Sequence, residues 1–269
     1  ITVWLEFRRV LFRSKKEDII KVLKKHKIEK IISIWVDLKT SLESIKLSKE
    51  NPWVIYATIW IHPNYTYNHK DEIDSTINKL ENMLIENFKY VKGIGECWFD
   101  FFRLWDENIE EKKEIQKIFF QKQISLANKY SLPIIIHSRD AKEDTFKTLK
   151  EAWAKKVLMH CYNEDLDFAY KALYHFEECM ISFSWIVTYK WAKNVANTAA
   201  NINIANILVE TDSPYLAPES VRWEENVPNY TKYIIEKIYQ LRKDNWKKET
   251  YEELEQQIYK NSIEFFKLY

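Results

Sequence analysis

The sequence predicts a parallel α/β fold, barrel or doubly wound, and three observations carry that expectation. Short runs rich in Ile and Val alternate with longer amphipathic stretches along all 269 residues. Most of the short runs lack in/out alternation, as strands buried on both faces do. No Pro/Gly/Ser-rich linker, low-complexity tract or internal repeat interrupts the alternation, so a single domain is expected.

Taken in order, the lysine-rich stretch from Lys15 to Lys30 reads as one solvated helix face rather than a nucleic-acid groove. Candidate strands follow at 28–36 and 53–61, and then Ile73, Ile77, Leu80 and Leu84 fall on one face of a helix. After a strand at 90–96, Ile115, Ile118, Phe119 and the segment 123–126 recur at helical spacing. Strands at 133–137, 157–160 and 179–184 are each followed by a helical pattern, at 141–151, 164–175 and 190–200. A last strand at 206–211 precedes helices at 229–242 and 249–266. That makes seven strands, one short of an eight-stranded barrel. Neither GxGxxG nor GxxxxGK[ST] occurs, which leaves dinucleotide and P-loop readings without support.

Composition narrows the class further. Forty-one basic and forty acidic residues leave a net charge of +1, which excludes a polybasic binder held to nucleic acid by bulk charge. Three cysteines, Cys97, Cys161 and Cys179, lack CxxC spacing, so neither a disulfide framework nor a zinc ribbon is expected, and Cys97 and Cys161 are assigned to packing. The longest apolar run, 53–61, is too short to span a bilayer, and a reducing, cytoplasmic setting without membrane partners is expected. One pair of counts is anomalous: 2 glycines against 11 tryptophans. Average usage calls for roughly 7% glycine.

Five apolar strands run into a residue able to bind metal or move protons: His62, Glu96, His137, His160 and Asp212. In a barrel, the C-terminal ends of all strands converge on one face. Gathered there, such residues form a mixed N/O site suited to zinc or manganese, whereas magnesium prefers fewer imidazoles. A single strand-end histidine is more often structural than a ligand; five such strand ends are hard to explain as accidents. His26, His69 and His175 lie in helical or loop patterns and read as surface residues.

With their neighbours, these strand ends resemble the TatD family of metal-dependent deoxyribonucleases. The matching segments are Ile61-His62-Pro63, the run from Gly93 to Asp100, the run from Pro133 to Ala141, His160-Cys161-Tyr162, and the run from Glu210 to Pro218, with Arg222, Asn226 and Pro228 beyond. The resemblance extends from about residue 15 to the end. It implies a (β/α)8 TIM barrel whose first strand is missing or replaced, because the family's opening His-x-His pair has no counterpart in residues 1–14. That segment is expected to be foreign, with residues 15–269 forming the TatD-like hydrolase domain.

The resemblance further implies two divalent ions per intact family member (Zn, Mn or Mg), DNA as the partner at single strands or strand ends, and a monomer. Glu96 would bridge the ions, His137 and His160 would ligate one, and Asp212 would bind metal and activate water. His62 and Arg139 would contact phosphate, although Arg139 serves equally as a salt-bridge residue behind the site. The same ligands also suit hydrolysis of an amide, ester or lactone, or an inactive truncated product. Family members typically have glycine where this chain has Trp60, Trp98 and Trp185, and Trp35, Trp153 and Trp223 sit at similar turns or strand ends. The expectation is that a codon read as glycine in the source is rendered here as tryptophan.

Overall fold

The computed structural model of the chain describes residues 2–6, 16–26, 28–34, 37–100, 108–137 and 141–269. Its eight parallel strands close a barrel in chain order: β1 (Thr2–Glu6), β2 (Lys30–Ile34), β3 (Ile55–Ile59), β4 (Val91–Cys97), β5 (Ile134–Ile136), β6 (Lys156–Met159), β7 (Glu178–Phe183) and β8 (Ile207–Thr211). All seven predicted strands are present. The eighth is Thr2–Glu6, which pairs with β2 along its length and with β8 at Trp4↔Glu210 and Leu5↔Thr211. Thr2–Glu6 thus stands where a gap was expected, and it carries no histidine.

Ten helices accompany the strands among the described residues: α1 (Lys16–Lys25), α2 (Leu38–Glu50), α3 (Pro63–Thr66), α4 (Ile73–Glu86), α5 (Ile109–Lys129), α6 (Lys142–Glu151), α7 (Leu166–His175), α8 (Lys193–Asn201), α9 (Thr231–Asp244) and α10 (Tyr251–Phe266). None is long and apolar enough to cross a membrane. Hydrophobic spacing missed the single turn α3 and one long helix, α2. Its buried face is largely hydroxylic (Thr40, Ser41, Ser44 and Ser48 beside Ile45 and Leu47), so the apolar period is weak. Its start is fixed instead by a capping box between Asp37 and Thr40.

Strand alternation divides the core in two. Ile134 and Ile136 pack outward with helix residues such as Phe120, Ile124 and Leu149, while Ile135 joins Ile32, Tyr56, Leu158 and Leu208 inside the barrel. Phe265, Phe266 and Leu268 close that inner cluster from the chain's end. The two glycines both lie on β4 against Ile135, which is where a side chain would collide with β5.

Among the described residues, outside which Trp35 lies, three tryptophans occupy left-handed backbone: Trp53 (φ 70°), Trp153 (φ 55°) and Trp246 (φ 60°). Trp153 and Trp246 each stand just past the end of a helix. There, Trp153 N–H bonds Lys150 O while Ala154 N–H bonds Leu149 O, and Trp246 N–H bonds Lys243 O while Lys247 N–H bonds Arg242 O. This paired pattern is the helix ending at which glycine is favoured, because a Cβ is strained there. Both indoles are almost fully exposed, at 82% and 90%, so packing offsets none of the strain. Trp153→Gly is therefore expected to stabilise the fold by about 1 kcal/mol, seen as a melting point roughly 2–4 °C higher; a lower melting point would contradict the backbone argument. Trp60, Trp98, Trp185 and Trp223 are not among the described residues with positive φ, and Trp60 is completely buried. At those positions the backbone does not call for glycine.

Candidate metal centre

Four barrel strands deliver four ligating side chains to one end of the barrel. Glu96 is the penultimate residue of β4, while His137, His160 and Asp212 directly follow β5, β6 and β8. Parallel strands in a closed ring point their C-terminal ends the same way, so residues far apart in sequence become neighbours. Glu96 Oε1 lies 3.1 Å from His137 Nδ1 and 3.0 Å from His160 Nε2, and His160 Nε2 lies 3.9 Å from Asp212 Oδ1. Glu96, His137 and His160 bring one potential ligand atom each within 4.8 Å of the others, and His160, Glu210 and Asp212 do the same.

Glu210 is the residue that sequence reasoning passed over. It is fully buried and serves three neighbours: His160 Nδ1 at 2.7 Å, the Cys161 N–H at 2.6 Å and the Ser182 hydroxyl at 2.7 Å. A carboxylate behind an imidazole fixes the ring's tautomer and direction, here turning Nε2 toward Glu96. It also holds Cys161 in a left-handed conformation (φ 45°). The clue lay in its position, two residues before Asp212 and hence on the same face of the extended chain.

Cys161 does more than the packing assigned to it. It is buried and free, but its thiol also meets the Ser184 hydroxyl at 3.1 Å and Asp212 Oδ2 at 3.4 Å. Burial, with the nearby Asp212 and Glu210 carboxylates, pushes that thiol well above its usual range, so it remains protonated and donates.

Charge is balanced within the cluster. Burial disfavours ionised Glu96, but the His160 charge and the adjoining His137 and His160 imidazoles outweigh it and hold the carboxyl well below its usual range. Burial likewise opposes a charged His160, yet Glu210 and Glu96 raise its pKa well above that of a free imidazole. Asp212 is pushed upward, first by burial and then by Glu210 and Glu96, against the pull of His160. Without a cation, the proton on His160 supplies the positive charge that these carboxylates require. A divalent ion would do the same and displace that proton.

Two atoms indicate where such an ion fits. His137 Nδ1 and Asp212 Oδ1 are both buried and have no hydrogen-bond partner, although each sits on the cluster. Buried polar atoms are normally satisfied, and a metal satisfies these two. The cluster opens into a cavity of about 680 Å³ walled by Trp98, Trp185, Ile186, Tyr215 and Leu216.

His62 lies beside this group rather than in it. Its Nδ1 accepts the Asn64 N–H at the start of α3, and its ring stands 4.5 Å from that of Trp98, which in turn is 5.1 Å from His137. Arg139 lies outside the described residues. His26 and His175 are exposed and His69 is half-buried beside Glu72, away from the cluster.

The chain matches the family model described as TatD related DNase over residues 6–267. It is 34% identical over 260 residues to the uncharacterized metal-dependent hydrolase YabD of Bacillus subtilis, covering 94% of this chain and 92% of that protein. It is 30% identical over 258 residues to the uncharacterized metal-dependent hydrolase MJ1582 of Methanocaldococcus jannaschii, covering 96% and 89%. Among solved structures, YJJV, a TatD homologue from Escherichia coli, superposes with a TM-score of 0.84 at 22% identity, covering 99% and 97% of the two chains. A family match over residues 6–267, relatives aligned over most of both chains and a barrel mouth furnished with carboxylates and imidazoles lead to one conclusion: this chain belongs to the TatD family of metal-dependent hydrolases.

Proposed function

We propose that this protein is a metal-dependent deoxyribonuclease that hydrolyses phosphodiester bonds at DNA strand ends. The supporting observation is the convergence of Glu96, His137, His160 and Asp212 on an open cavity, with one buried atom of His137 and one of Asp212 lacking a partner. The family description favours DNA over other esters. A net charge of +1 suits an enzyme that grips a strand end rather than one that tracks a long basic groove.

In this reading, Glu96, His137 and His160 would hold a divalent ion, with Asp212 beside His160 as a further ligand. A bound divalent ion supplies positive charge that acidifies water and neutralises a phosphoryl oxygen. Asp212 takes the proton of the attacking water at Oδ1, the oxygen turned to the cluster. Glu210 keeps His160 Nε2 aimed at the same point. Trp98 and Trp185 wall the cavity and limit bulk water. His62, whose Nδ1 accepts a backbone N–H, is proposed for the phosphate side. Arg139 is proposed for the same side. One barrel supplies every group, so a monomer suffices.

The test is to incubate the purified chain, with Mn²⁺, with an end-labelled single-stranded oligonucleotide and, separately, with small amides and lactones. Stepwise release of nucleotides that stops on adding a chelator is expected. Hydrolysis of an amide or lactone with no nucleotide released would replace this reading.

A further inference from the structure

We propose that Trp185 is the positioning residue for Asp212, through a hydrogen bond that leaves one carboxylate oxygen for the metal. The proposal rests on the metal-centre reading above, and it concerns a side chain that the sequence treats only as a substitute for glycine.

A buried carboxylate can rotate about its Cβ–Cγ bond and exchange its two oxygens unless donors distinguish them. Here they are distinguished. The Trp185 indole N–H donates to Asp212 Oδ2 at 2.7 Å, and the Cys161 thiol donates to the same oxygen at 3.4 Å. Oδ1 accepts nothing, is buried, and faces His160 Nε2 at 3.9 Å. Both donors therefore engage the oxygen away from the ligand cluster, and the remaining lone pairs point into it.

Trp185 is itself fixed from behind. It opens the short 3-10 turn Trp185–Thr188 just after β7, and the Thr188 hydroxyl returns to the Trp185 carbonyl at 2.6 Å. Its ring meets Tyr189 edge-on at 5.3 Å, and the Tyr189 hydroxyl bonds the Ala217 carbonyl in the segment after Asp212. The indole is only partly buried, so its N–H could be satisfied by water; it is spent on the carboxylate instead. Groups that orient a metal ligand in this way typically control affinity by about tenfold or more.

The deciding experiment titrates Co²⁺ into the metal-free full chain, by calorimetry and by visible absorption, for wild type, Trp185→Phe and Trp191→Phe. Phe keeps an aromatic ring in place but lacks the N–H, and far-UV circular dichroism checks that each variant is folded. Trp191 is an exposed neighbour, 6.3 Å away ring to ring, and serves as the control. Trp185→Phe is expected to weaken Co²⁺ binding about tenfold and to alter the d–d bands, while Trp191→Phe changes neither. Unchanged affinity and spectrum in folded Trp185→Phe would overturn the proposal while leaving the metal centre intact. A wild-type chain that binds no Co²⁺ would remove the metal centre, and the proposal with it.

Discussion

Asp212→Asn is expected to lower kcat/KM on a single-stranded oligonucleotide by on the order of 10³-fold, with little change in melting temperature. The amide keeps the volume of the side chain and an oxygen to receive the Trp185 N–H, so the fold loses almost nothing. What disappears is the negative charge on the oxygen that faces His160 Nε2 at 3.9 Å. That oxygen has no hydrogen-bond partner, so it is open to accept the proton of the attacking water. Mn²⁺ affinity should fall in parallel, since a neutral amide oxygen is a weaker ligand for a hard cation. Steady-state kinetics on the variant, with a titration of the metal, would check both effects. Activity within tenfold of wild type would show that Asp212 neither activates water nor completes the site.

Gly95→Ala is expected to destabilise the fold by about 4 kcal/mol, a large share of the stability of a marginally stable chain. Gly95 sits at φ 141°, where L side chains are strained, and a Cβ there would lie 2.6 Å from the Ile135 carbonyl oxygen and 2.7 Å from Ile135 Cβ. The obstruction is the backbone of β5, paired on its other side with β6, so it has nowhere to move. Gly93→Ala is the informative comparison. Its Cβ would lie 2.5 Å from Ile135 Cδ1, the free end of a flexible side chain that can turn aside. Urea denaturation should therefore find Gly93→Ala clearly milder than Gly95→Ala. Equal losses would mean that crowding of Ile135, rather than the backbone conformation at 95, makes glycine necessary there.

The residues that the sequence brought forward and those it passed over differ in kind. Glu96, His137, His160 and Asp212 were legible because each interrupts or ends an apolar run, and a polar side chain at the end of a buried strand stands out without any coordinates. Glu210 lies inside such a run and reads as part of the strand. Its three hydrogen bonds come from β7 and from the two residues that follow β6, partners that become neighbours only when the barrel closes. Helix α2 escaped notice because hydroxyl groups, not hydrocarbons, cover its inner face. Strand β1 was not foreseen because its identity rests on pairing with β2 and β8, not on its own pattern.

Sequence alone determined the strand–helix alternation, the positions of seven strands and which strand ends bear carboxylates and imidazoles, because hydrophobic periodicity and strand punctuation are local properties. It also exposed the imbalance of tryptophan over glycine. Only the tertiary structure decided what those tryptophans do: Trp153 and Trp246 sit strained at left-handed helix ends, whereas Trp185 donates its N–H to Asp212. It alone decided, too, which oxygen of Asp212 is free and which carboxylate steers His160. The physical reason is that hydrogen-bond direction in the site is set by neighbours from other strands, and ring closure brings those neighbours together only once the whole barrel is built.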